Sequence, residues 1–168
     1  AYDADGNESW VSTDLSATPQ SVPTSLAFST QPSGATAGSS FATQPVVVIR
    51  DLEGNTVTSA TDSVTLSITS GTGTSGATLA GTTAVSAVSG VATFTDLRID
   101  KAGTTYTLTA SSGSLTSSVS SSFTVSAAAV STLVITSEPS STAVGEAFST
   151  QPVVEVRDAY GNLVLEPR

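Results

Sequence analysis

The residues of this chain whose types and spacing could do chemistry are few, and most are acidic. Asp3-Ala-Asp5-Gly-Asn7 sets oxygen-bearing side chains at alternate positions, as the start of a calcium loop does, because such oxygens can converge on one cation. The ligands that would complete an EF-hand, including its distant bidentate Glu, do not follow, and a hairpin turn of the form Asp-x-x-Gly-Asn accounts for all five residues. Asp51 and Asp158 head two more turns of that form and already have a structural task. Weak calcium binding at Asp3 and Asp5, or at a domain junction where Asp3, Asp5, Asp14 and Asp100 meet, stays open at this level; folding is expected not to need it. Lys101 is the only Lys, so an intramolecular isopeptide bond to Asn or Asp would have to use it. It falls in a loop between strands, where a solvated charge is the simpler reading. Asn7-Glu8-Ser9 matches the N-glycosylation acceptor pattern.

The missing residue types exclude more than the present ones suggest. Without His the chain lacks the usual general base, any Ser-His-Asp arrangement and the commonest metal ligand. Without Cys it can form neither a disulfide nor a thiolate metal site. Paired-carboxylate hydrolysis needs two acids held close together, and no two are anchored on adjacent inward strand positions. The expectation is therefore that the chain is not an enzyme, with no catalytic, cofactor-binding or metal residues and no cofactor. A net charge of −9 with five Lys and Arg in all makes nucleic acid a poor partner. No apolar run approaches the roughly 18 residues of a membrane span, so no membrane insertion is expected. The chain begins with neither Met nor a signal peptide and reads as an excerpt from a longer polypeptide.

Ser and Thr supply 58 of the 168 residues while only 11% are charged, so hydroxyls must occupy many exposed strand positions. Hydroxyl rows can dock to ice or sugar, but sugar platforms also use exposed aromatics, and the only Trp is Trp10. Hydroxyls are also simply good strand formers that keep a face polar.

These residues sit on a repeat. Phe41 to Val57, FATQPVVVIRDLEGNTV, returns 107 residues later as Phe148 to Val164, FSTQPVVEVRDAYGNLV. Extended back to Leu26 and Leu133, the match covers 32 ungapped positions, 15 of them identical. A period of that length suits whole domains in a row rather than a solenoid. In each block Pro opens an apolar β-branched run, which the Asp-x-x-Gly-Asn turn closes. Val48 becomes Glu155 while Val47 and Ile49 stay Val, so positions 47 and 49 are expected inward and 48 outward.

Alternation then places the remaining strands. Leu26, Phe28 and Thr30 mark one, and Val64, Leu66 and Ile68 another. Ala84–Val88 and Val91–Leu97 flank a Ser89-Gly90 turn, with a bulge expected because Phe94 and Leu97 fall on opposite parities. Tyr106, Leu108 and Ala110 form the next. Leu115, Val119, Phe123 and Val125 then share a parity over one long final strand. The expected core is Val47, Ile49, Val64, Leu66, Ile68, Tyr106, Leu108, Phe123 and Val125. About seven short strands without helical periodicity indicate an all-β, antiparallel sandwich of immunoglobulin-like type.

Asp51-x-x-Gly54-Asn55-x-Val57, VTLSITSGTG, SGVATF and AGTTYTLTA resemble the bacterial immunoglobulin-like repeats of invasin- and intimin-type surface proteins. Tyr106, two residues before Leu108, is similarly placed to the Tyr that precedes the second Cys of an immunoglobulin domain, the tyrosine corner. Residues 1–18, AYDADGNESWVSTDLSAT, resemble the last hairpin of a fibronectin type III domain. The resemblance implies that hairpin at 1–18, a linker at 19–24, a complete domain at 25–126, a linker at 127–131 and the first part of a second immunoglobulin-like repeat at 132–168. Neither end supplies enough strands for a core of its own. It further implies a non-catalytic spacer or stalk module of a large extracellular or cell-surface protein, with adhesion open. Its partners would be neighbouring immunoglobulin-like or fibronectin type III domains of the same polypeptide, with a glycan or other surface ligand also open. The competing reading is an accessory carbohydrate-binding module of a secreted polysaccharide-degrading enzyme.

Overall fold

A computed structural model describes residues 21–165; Asp3, Asp5, Trp10, Asp14 and the expected fibronectin-type hairpin lie outside the described residues. Among those residues there is no helix. The strands are β1 (Ser25–Thr30), β2 (Ala35–Thr36), β3 (Val46–Arg50), β4 (Ser63–Ile68), β5 (Leu79–Ala80), β6 (Ala84–Ser86) and β7 (Val91–Thr93). There follow β8 (Arg98–Ile99), β9 (Gly103–Tyr106), β10 (Leu108–Ser111), β11 (Ser118–Val119), β12 (Phe123–Ser126), β13 (Val130–Ser137) and β14 (Val153–Asp158). Two three-stranded sheets run β1-β3-β7 and β2-β12-β9 and a four-stranded one β11-β10-β4-β6, while β5-β8 and β13-β14 are two-stranded. The three- and four-stranded sheets send side chains into one core cluster, an arrangement consistent with a β-sandwich.

That cluster lies within Leu26 to Val125. It holds eight of the nine expected core residues, and Ile68 packs against its edge. The reason is visible in β4, where Val64 and Leu66 are buried and the hydroxyl residues between them are exposed, as period two requires when one face is covered. Within the core the Phe123 ring meets Phe41 edge-on at 5.2 Å and stacks on Tyr106 at 6.0 Å.

Three expectations about strands need correcting. Val48 is buried at 7% exposure although it points away from the core cluster. It is the middle member of a row whose neighbours in register are Ala27 on β1 and Val91 on β7, and a central strand shields its outer face better than alternation alone suggests. The residues around Ser89-Gly90 do form a tight turn, both with positive φ and with Val88 and Val91 exchanging backbone hydrogen bonds. Beyond that turn the arms part, β6 pairing with β4 and β7 with β3. Phe94 and Leu97 are both buried because β7 ends at Thr93 and irregular chain follows, so the change of parity needs no bulge.

The long final strand is the third correction. It breaks into β11, paired with β10, and β12, paired with β9 and running parallel to β2. Val119 is half exposed, and Ser120 is buried instead. The break is held by polar contacts: Ser120 Oγ accepts from Leu108 N at 2.9 Å and donates to Ser121 O, while Gln31 Oε1 accepts from Ser121 N. Similarly, Tyr106, Leu108 and Ala110 are all buried but divide between β9 and β10, which lie in different sheets. Tyr106 Oη donates to Lys101 O at 2.9 Å, the hydrogen bond back to upstream backbone that a tyrosine corner makes.

The second copy repeats the first. β13 pairs with β14 as β1 pairs with β3: Leu133↔Val156 matches Leu26↔Ile49, and Ile135↔Val154 matches Phe28↔Val47. Even the register shift recurs, at Ile135/Ser137 as at Phe28/Thr30. The surroundings differ. Leu133, Ile135, Phe148 and Val154 are exposed, whereas Leu26, Phe41 and Val47 are core residues.

Candidate functional site

The most elaborated polar cluster among the described residues lies where the second copy meets the end of the first. It is built on the turn Asp158-Ala-Tyr-Gly161-Asn162. Gly161 has φ +78, and its N–H donates to Asp158 O at 3.1 Å, closing the turn. Asp158 Oδ1 accepts from Tyr160 N and Asn162 N, at 2.9 and 2.8 Å. Its other oxygen accepts from Asn162 Nδ2 and from Ala128 N, both at 2.8 Å. One carboxylate thus secures the turn and also fastens it to the connecting segment that leaves β12.

Asn162 faces the other way as well. Its Nδ2 donates to Asp100 O at 2.9 Å and its Oδ1 accepts from Ala102 N at 2.9 Å. A carboxamide carries a donor and an acceptor side by side, and the loop offers a C=O and an N–H two residues apart, so the side chain stands in for a rung of a β-ladder. Asp at 162 would keep the acceptor and lose the donor. Lys101 Nζ donates to Tyr160 O at 2.8 Å, and Tyr160 lies against Gly38, where any Cβ would overlap its hydroxyl. Lys101 is therefore neither a free loop charge nor placed on a carboxylate: it belongs to this joint.

Burial pushes the Asp158 carboxyl up, but the side chain of Asn162 and the backbone N–H groups of Ala128, Asn162 and Tyr160 outweigh that effect and hold it below the usual carboxylate range. The folded value is lower than the unfolded one of about 3.9. The stabilisation is consequently present above the unfolded value and lost as pH falls through the depressed folded value. Acidification below about pH 4 is expected to open this joint. NMR exchange at the Ala128 and Asn162 amides should show it, with the core strand β4 still protected; Asp158→Asn should abolish that pH step.

Of the acids considered as calcium ligands only Asp51, Asp100 and Asp158 are among the described residues, where no three acids gather. Asp100 Oδ1 accepts from Thr78 N at 2.7 Å, and Asp51 and Asp158 are spent in turns 107 positions apart. Two open surface depressions are lined largely by Gly, Ser, Thr and Ala, without titratable groups, and a third holds Asp51 and Glu53 beside Val22 and Leu52. What the sequence reading missed is Asn162. Asp and Gly suffice for the turn, so the Asn that closes each Asp-x-x-Gly-Asn block was the available signal of a further task.

No family model matches the chain, and no curated protein does. Among solved structures it is similar to domains 4–9 of the surface layer protein SbsC, at 19% identity and a TM-score of 0.39, over 86% of this chain and 21% of that one. The chain thus spans about a fifth of that neighbour's length, and so distant a likeness carries no argument about its role.

Proposed function

We propose that the chain is a non-catalytic spacer: immunoglobulin-like domains joined end to end in a large extracellular or cell-surface protein. The observation that supports this reading best is the joint itself. Residues of the second copy contact the first through a carboxamide that pairs with backbone at Asp100 and Ala102 and through the Lys101 bond to Tyr160. Relative motion of neighbouring units is the default where their interface is neither large nor apolar, and these side-chain-to-backbone bonds are the contacts that would restrain it. The Tyr106 bond to Lys101 O, in the same loop, supports the immunoglobulin-like reading. No residue need do chemistry.

The test is orientation. Residual dipolar couplings of the 168-residue chain are expected to fit one alignment tensor for β4 and β14 together. Asn162→Ala should split them into two. Separate tensors in the unmodified chain would defeat the spacer reading, and specific binding on a glycan array would move the chain to the accessory carbohydrate-binding class.

A further inference from the structure

The first copy carries the same turn with nothing among the described residues docked on it. Asp51–Asn55 repeats the backbone frame of Asp158–Asn162. Gly54 N donates to Asp51 O at 3.2 Å, Asp51 N to Asn55 O at 3.0 Å and Asn55 N to Asp51 Oδ1 at 2.8 Å, against 3.1, 3.0 and 2.8 Å in the second copy. Val57 N donates to Ile49 O as Val164 N does to Val156 O. The contacts before the turn differ in kind: Ser21 reaches Asp51 through its side chain, whereas Ala128, 107 positions on, reaches Asp158 through its backbone N–H. The two turns differ again at the fifth residue. Asn162 is buried and spends its carboxamide on the neighbouring unit, whereas Asn55 is exposed and among the described residues its Nδ2 reaches only Asp51, at 3.4 Å.

The surroundings of Asn55 are those of an uncovered contact. Leu52 is 84% exposed and Val22 68%, and both line one open depression with Ser21, Asp51 and Asn55. Two large apolar side chains beside a carboxamide with capacity to spare suit a surface that is covered in the assembled protein.

We infer that Asp51–Asn55 is a second docking turn, and that its occupant is the end of another β-sandwich domain on its N-terminal side. That end presents a backbone C=O and N–H two residues apart, as Asp100 and Ala102 do, with an apolar rim for Leu52 and Val22. This deepens the spacer reading and rests on it only for the class of occupant. Each unit would then carry a socket at the 100–102 loop and a plug at the 51–55 turn, so that one joint geometry could propagate along an array.

The experiment places residues 21–127 directly in front of residue 21 of the described chain, so that an upstream Asp100–Ala102 loop meets the downstream Asp51–Asn55 turn. The readout is amide exchange at the upstream Ala102. Docking is expected to slow it to the rate of the downstream Ala102, which Asn162 already holds. Downstream Asn55→Ala should then speed the upstream Ala102 by about two- to tenfold, the worth of one lost hydrogen bond. The Asn55→Ala backbone N–H can still donate to Asp51, so unchanged protection at residue 55 separates loss of docking from loss of the turn. Fast exchange at the upstream Ala102, with the Asn162 joint intact, would overturn this inference and leave the spacer reading standing. An Asn55→Ala effect on amide exchange in residues 1–18 of the unextended 168-residue chain would support it, because that segment is read as the end of the β-sandwich domain on the N-terminal side.

Discussion

Leu66→Ala is expected to lower the stability of the Leu26–Val125 unit by about 2 to 5 kcal/mol, and Thr65→Ala by about 0.5 kcal/mol or less. The two residues are neighbours on β4, so strand propensity and position in the sheet hardly differ. Leu66 is a core residue at 2% exposure, opposite Ala110 in register, whereas Thr65 is exposed. Removing Leu66 leaves a cavity between two sheets that share one core and cannot both collapse toward it. Urea unfolding of both variants checks this, and equal midpoints would contradict the inward face of β4. All members of the core cluster lie between Leu26 and Val125, so residues 21–126 alone are expected to keep a cooperative transition.

Gly73→Ala is expected to cost about 2 to 4 kcal/mol, and Gly71→Ala only about 1 to 2 kcal/mol. Both glycines have positive φ, +66 and +79, so the backbone cost of adding Cβ is shared. They differ in what the new methyl meets. At Gly71 there is open space, while at Gly73 the Cβ would overlap the Tyr106 ring. That ring is fully buried, stacked on Phe123 and tethered through its hydroxyl to Lys101 O, so it cannot step aside without disturbing the core and the loop that receives Asn162. Thermal melts of the two variants should therefore separate clearly. Gly73→Ala should also loosen the joint, read as faster exchange at Ala102, while Gly71→Ala should not. Matching melts would mean that the ring has room to move.

Much of this architecture was legible in the chain because local rules decide it. Period-two alternation with hydroxyls on one face picks out β4 whatever it packs against, and a Pro-led β-branched run ending in Asp-x-x-Gly-Asn forms a strand and turn wherever it occurs. The 107-residue period likewise announced that β13 and β14 would pair as β1 and β3 do. The failures share a cause. Thr107, Ser120 and Ser89-Gly90 are places where the chain leaves one sheet for another, and no pattern within a strand reports which neighbour its backbone will choose. Val48 reads as outward by alternation and is buried only because β1 and β7 set Ala27 and Val91 beside it. The Asn at the end of each turn is the sharpest case. Its turn is written in five residues, but whether its carboxamide stays in water, as at Asn55, or closes on Asp100 O and Ala102 N, as at Asn162, depends on a loop some 60 residues away that only the folded chain brings within 3 Å.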